Sequence, residues 1–114
     1  MRCTSLELST QRLDGTELIS ARGEVDLATS PQLAQAVATA LSEGPKRLVI
    51  DLCEVGFLDS SGLAVLLQTR RRARPRHIAL RIVCDVPSTL RVLTLTGLDR
   101  VFEVRPSRRE ALET

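Results

Sequence analysis

The sequence predicts an α/β domain built on a mixed sheet of about five strands, and three observations carry that prediction. Leu6 to Leu13 (LELSTQRL) alternates apolar and polar residues and reaches Asp14-Gly15, a tight-turn pair, so it reads as the first arm of an antiparallel hairpin. Arg47 to Cys53 (RLVIDLC) is a β-rich apolar run broken only by Asp51, the pattern of a central strand covered on both faces. Strand-like and helix-like segments then alternate to the end of the chain, which implies right-handed crossovers between parallel strands.

Each element has its own signal. Thr16 to Val25 (TELISARGEV) returns as the hairpin partner, and Asp26 to Pro31 (DLATSP) is a loop. In that loop Thr29 or Ser30 serves as helix N-cap, with Pro31 at the first helical position. Leu33, Ala34, Val37, Ala38 and Leu41 recur at helical spacing until Gly44-Pro45 stops the pattern. After the central strand comes FLDSSGLAVLL, Phe57 to Leu67, which opens a second helix ending in RRRARPRH, Arg70 to His77. Positive charge on a last turn complements the helix dipole, and Pro75 ends the helix. His77 to Cys84 is a further strand, Pro87 to Gly97 a third helix with Leu90, Leu93 and Leu98 near one stripe, and Arg100 to Val104 a final short strand. Residues 1–114 therefore read as one domain with a core over about 6–104, and residues 105–114 as a tail or marginal helix.

Composition removes several function classes. With 43% hydrophobic and 26% charged residues the chain should fold unaided. No apolar run approaches the roughly 18 to 20 residues that cross a bilayer, and the start has no signal-peptide core, so a cytoplasmic protein without membrane contact is expected. Cys3, Cys53 and Cys84 are odd in number and widely separated, which indicates buried free thiols rather than a disulfide framework or a zinc site. A single histidine, His77, leaves little material for a metal site or a Ser-His-Asp triad. Two aromatics, Phe57 and Phe102, provide no base-stacking platform, so direct nucleic-acid binding is not expected. Charge is uneven: residues 1–59 carry nine acidic and five basic side chains, residues 60–114 five acidic and eleven basic. The arginine run reads first as a solvated helix end and second as a partner contact.

The cluster Asp59-Ser60-Ser61-Gly62 lies where functional groups gather in such sheets, after a parallel strand and at a helix start. Helix capping explains one of its polar residues, at about 1 kcal/mol. It does not explain three in succession followed by a poor helix former. A nucleophilic serine would need a base, for which only His77 is available, and a G-x-S-x-G elbow, which is absent; phosphate-binding glycine loops are also missing. A phosphoacceptor fits better, because a phosphate of about −1.5 to −2 charges is tolerated at a helix N-terminus and would repel a partner carboxylate.

The segments ARGEVDLATSPQLAQAV, RLVIDLCEVGFLDSSGLAVLL and LRVLTLTGLDRVFEV, in that order, resemble the STAS-domain anti-sigma factor antagonists of bacteria, over about Leu6 to Val104. The resemblance implies the STAS fold, a small sheet flanked by helices. It implies an antagonist that binds an anti-sigma factor serine kinase and so frees a sigma factor. Phosphorylation at Ser60 would inactivate it and a PP2C-type phosphatase would restore it. By the same resemblance Asp59 orients the site, Ser61 and Gly62 belong to the same surface, and the Gly23-Glu24-Val25-Asp26 loop lies beside it, with Glu24 and Asp26 as kinase contacts. Capping alone is the other reading of Asp26. The antagonist would catalyse nothing and hold no cofactor or metal of its own, the ATP and its metal belonging to the kinase, and would be a monomer. The runner-up is a non-phosphorylated STAS subunit of a lipid-transport or sensor assembly, against which the intact Asp59-Ser60-Ser61-Gly62 argues.

Overall fold

Alternating side chains in the first two strands decide which face of the sheet is buried, and the crossovers then follow. The computed structural model describes residues 5–113. Strands β1 (Leu6–Leu13) and β2 (Thr16–Val25) form the antiparallel hairpin about the Asp14-Gly15 turn, pairing Leu13 with Thr16 and Leu6 with Gly23. Helix α1 (Ser30–Ser42) leads to β3 (Arg47–Leu58), helix α2 (Ser60–Ala73) to β4 (Ala79–Val83), and helix α3 (Pro87–Leu95) to β5 (Glu103–Arg105). Short 3₁₀ turns at Arg74–Arg76 and Leu98–Arg100 follow α2 and α3, and helix α4 (Arg108–Leu112) closes the described chain. The sheet order is β1-β2-β3-β4-β5, with every pair after the hairpin parallel. Three right-handed crossovers that advance in one direction must all lie on the same face. Accordingly α1, α2 and α3 share one core, where Leu33, Val37, Leu66 and Leu93 pack on Ile19, Leu48, Ile50, Leu52 and Ile82.

The opposite face holds a smaller cluster of Leu18, Val49, Val83 and Ala111, covered by α4. The segment read as a tail or marginal helix thus contributes the last residue of β5 and a helix packed on the sheet. Arg108 Nε pairs with the buried Asp51 carboxylate, and its guanidinium also donates to Ser20 Oγ at 2.9 Å. Arg47 donates to Leu112 O at 2.7 Å and Arg81 to Ala111 O at 2.8 Å, so sheet arginines accompany the helix's terminal carbonyls. These contacts span 30 to 88 residues of sequence and leave no local signal.

Further expectations change in detail, the final strand among them, which begins at Glu103 rather than at Arg100, a residue of the preceding 3₁₀ turn. The central strand does not stop at Cys53 but runs to Leu58. Its register against β2 shifts between Ser20 and Arg22 and again between Gly23 and Glu24, with an extra β3 residue at each shift. Each extra residue reverses the alternation: the first brings Val55 to the core face, and the second restores the original parity, so that Leu58 faces the core and Phe57 points to solvent. Thr29 does occupy the N-cap of α1, but its hydroxyl does not cap the helix. It donates instead to Glu24 O at 2.8 Å and accepts from Asp26 N at 2.9 Å. Cys84 is buried as expected, but Cys53 is only half-buried, and Cys3 lies outside the described residues. Burial, then hydrogen bonds with Asp85 and Asp51, pushes the Cys53 thiol up to about 12, and burial also raises Cys84. Both remain thiols rather than reactive thiolates at neutral pH.

Candidate functional site

The parallel pairing of β2 and β3 brings two loops to one end of the sheet. Val25 lies opposite Leu58, and Asp59 N donates to Val25 O at 3.1 Å, so the residues after each strand emerge side by side. From β2 comes the Gly23–Asp26 segment and from β3 the Asp59–Gly62 cluster. The structure therefore joins two stretches that are more than thirty residues apart in sequence.

Asp59 is the N-cap of α2, in extended backbone, and its Oδ1 accepts from Ser61 N at 2.9 Å and Gly62 N at 3.3 Å. Ser61 Oγ donates to the same oxygen. The hydrogen bond from Ser61, and then the backbone bonds from Gly62 and Ser61, hold the Asp59 carboxyl below its ordinary value of 3.8, while burial and the nearby Asp26 charge oppose the shift. A carboxyl with a depressed folded-state pKa stabilises the fold above its unfolded pKa, and that contribution is lost as pH falls through the folded value. Acid titration by NMR should therefore move the Ser61 and Gly62 amide resonances together, below the ordinary carboxylate range, and Asp59→Asn should remove that titration. A transition of these amides at or above the ordinary value of 3.8 would contradict the cap.

Ser60 is the first residue of α2 and is exposed, and among the described residues its hydroxyl makes no hydrogen bond. Ser61 is half-buried and engaged by Asp59. Gly62 is buried: a Cβ there would lie 2.4 Å from Leu58 Cδ1 and 2.8 Å from Val25 Cγ1. Its reason is close approach, which sets the first turn of α2 directly on the ends of β2 and β3. Glu24 and Asp26 are half-buried. Asp26 Oδ1 accepts from Ala28 N at 2.9 Å and Thr29 N at 3.0 Å, so this carboxylate shapes the loop before α1 as well as facing the cluster. Gly23 takes φ +120° where β2 passes under Ser5, whose carbonyl accepts Glu24 N at 3.0 Å.

Two residues that flank this end were not singled out from the sequence. Leu27 is 81% exposed beside Asp26, and Phe57 is 50% exposed opposite Glu24. Exposed large apolar side chains next to a polar cluster mark interaction surfaces. Leu27 carried a signal in being an apolar residue inside a polar loop. Phe57 carried a signal only if the strand is continued past Cys53, since alternation from Leu48, Ile50 and Leu52 already places it off the core face. His77 sits exposed beyond the far end of α2, so it cannot act as a base for Ser60. Among the described residues no group of three or more histidine, cysteine, aspartate or glutamate side chains is placed to hold a metal ion, and no helix is long and apolar enough to cross a membrane.

A mixed five-stranded sheet that displays a serine hydroxyl at the start of the helix after its central strand, between acidic and apolar neighbours, defines a small protein-binding domain. The chain belongs to the STAS-domain family of anti-sigma factor antagonists, and the STAS domain profile matches residues 7–111. It is 33% identical over 99 residues to the anti-sigma-F factor antagonist RsfB of Mycobacterium tuberculosis, covering 87% of this chain and 80% of that protein. The crystal structure of an anti-sigma factor antagonist from Mycobacterium paratuberculosis superposes with a TM-score of 0.89 at 36% identity, over 95% of this chain and 92% of the other. The unphosphorylated antagonist SpoIIAA shares the fold, with a TM-score of 0.79 at 19% identity over 93% of each chain.

Proposed function

We propose that this protein is an anti-sigma factor antagonist: it binds an anti-sigma factor serine kinase, thereby releases a sigma factor, and is switched off by phosphorylation of Ser60. The observation that carries the reading is the division of labour between adjacent serines. Ser61 is held by Asp59, whereas Ser60 is exposed with an unengaged hydroxyl at the mouth of α2. The antagonist is bound and modified but catalyses nothing, ATP and its metal belonging to the kinase. It acts as a cytoplasmic monomer, and a PP2C-type phosphatase removes the phosphate.

The physics of the switch follows from the cap. Asp59 already occupies the N–H groups of Ser61 and Gly62, so a phosphate on Ser60 is not drawn into the helix end and projects toward the partner. It adds about −1.5 to −2 charges beside Asp59, Asp26 and Glu24. Two unit charges about 4 Å apart repel by roughly 4 kcal/mol at an effective dielectric of about 20, and less when exposed. A partner that brings a carboxylate or a fitted apolar pocket to this surface is then rejected without any change in the antagonist's fold. Exposed Leu27 and Phe57, at the same end, supply the apolar part of the contact.

The test is intact mass after incubation of wild type and Ser60→Ala with ATP and candidate anti-sigma kinases from the same organism. A single phosphate on wild type and none on Ser60→Ala is expected. Modification of Ser60→Ala would move the site, and an unmodified wild type with every kinase would favour the non-phosphorylated subunit reading.

A further inference from the structure

The arginine run at the other end of α2 has no part in the Ser60 surface. Arg70, Arg71 and Arg72 form the last turn, Arg74 follows, and among the described residues none of these four pairs with a carboxylate. Arg76 differs, its guanidinium being spent on Leu41 O at 2.6 Å. Arg70 and Arg74, four residues apart and so on one helix face, border a hollow of about 260 Å³. Its walls include Ile78, Leu80, Val101 and Phe102, and Val101 is 37% exposed at the lip. Glu103, at the same groove, is engaged by Arg81 at 3.1 Å and Arg105 at 3.6 Å, so it does not neutralise Arg70 or Arg74.

We propose that this groove is a second docking surface, for an acidic peptide segment of a partner protein that also carries an apolar side chain. The charge complement is direct: Arg70 and Arg74 line a hollow of mixed polar and apolar surface, and a carboxylate satisfies a guanidinium fork in bidentate geometry. A peptide whose acidic residues meet Arg70 and Arg74 places an intervening apolar side chain against Val101 and Leu80. Nucleic acid fits less well, because the groove also carries the Glu103 carboxylate and apolar Leu80 and Val101, and the described aromatics offer no stacking here, Phe102 being buried and Phe57 lying at the opposite end of the domain. The 14 residues of α2 separate the groove from Ser60 by roughly 20 Å at about 1.5 Å per residue, beyond the Debye length of about 8 Å at physiological salt. The groove therefore holds its partner in both phosphorylation states, and the two surfaces can be occupied together.

The experiment titrates the full ¹⁵N-labelled chain with a short synthetic peptide of glutamate pairs alternating with leucine, with an all-glutamate peptide of equal length, and with a DNA duplex. The expected result is saturable shifts at Ala73, Ile78, Leu80 and Val101, with the mixed peptide binding at least about tenfold tighter than the all-glutamate peptide and weakening with salt. Arg70→Gln/Arg74→Gln should lose about tenfold in affinity, as should Val101→Ser by removal of the apolar contact, whereas Ser60→Asp should bind as wild type. Using both variants guards against a fraying helix end in one of them, and unperturbed amide shifts at Ile82 and Leu93 identify the folded ones. No saturable binding, equal affinity for the two peptides, or tighter binding of DNA would each overturn the proposal.

Discussion

Ser60→Asp is expected to bind the cognate anti-sigma kinase about 30-fold more weakly than Ser60→Ala, a difference of roughly 2 kcal/mol. Ser60→Ala should bind within about twofold of unphosphorylated wild type, because the Ser60 hydroxyl holds nothing in the structure that its loss would release. The estimate for aspartate is about half of the roughly 4 kcal/mol available to close unit charges, reduced because the site is exposed. Affinities measured by calorimetry at two salt concentrations test both the size and the cause. Equal affinities for the two variants would remove the charge switch, and a deficit in Ser60→Asp that did not shrink with salt would assign it to shape rather than charge.

Gly23→Ala is expected to destabilise the fold by about 3 kcal/mol or more. Gly23 has φ +120°, and a Cβ there would stand 2.3 Å from Ser5 O, a backbone atom that already accepts Glu24 N. No rotamer relieves that contact, so the start of β1 must move away and the hairpin loses its outer pairing at Leu6. Gly56→Ala is the control: a Cβ there meets nothing within 4 Å, and a change within about 0.5 kcal/mol is expected. Urea unfolding of the two variants side by side gives the comparison. Equal midpoints would mean that the Ser5–Gly23 approach does not constrain the fold. Because Glu24 and Asp26 follow Gly23 directly, the same substitution should also weaken kinase binding.

Local chemistry made much of this protein legible before its structure. The sequence predicts both hairpin arms with the ends they have, Leu6–Leu13 and Thr16–Val25, because alternation and an Asp-Gly turn are properties of neighbouring residues. Helices α1, α2 and α3 showed in their apolar spacing and in their Pro and Gly punctuation, and the parallel order followed from the alternation of elements. The segments that carry the family likeness are contiguous in sequence, so the cluster at Asp59-Ser60-Ser61-Gly62 and the Gly23–Asp26 loop could both be singled out.

What the residues could not disclose depends on contacts between distant segments. Continuation of β3 to Leu58 comes with two register shifts against β2, the first of which brings Val55 to the core, and it is the continued strand that sets Phe57 outward beside the site. Only the packed structure gives the Ser61 hydroxyl to Asp59 and leaves that of Ser60 free, and only there does Gly62 prove to be a close-packing residue beneath Leu58 and Val25. Residues 105–114 read as a tail or marginal helix, and the five-residue α4 that forms there has little stability of its own. It is fixed by the sheet: Arg108 reaches Asp51, and Ala111 fills the second apolar cluster. Sequence determined the elements and their order because periodicity and turn chemistry act over a few residues. Tertiary structure decided the bulges, the exposed hydroxyl and the closing helix, because each rests on partners that the chain brings together only when it folds.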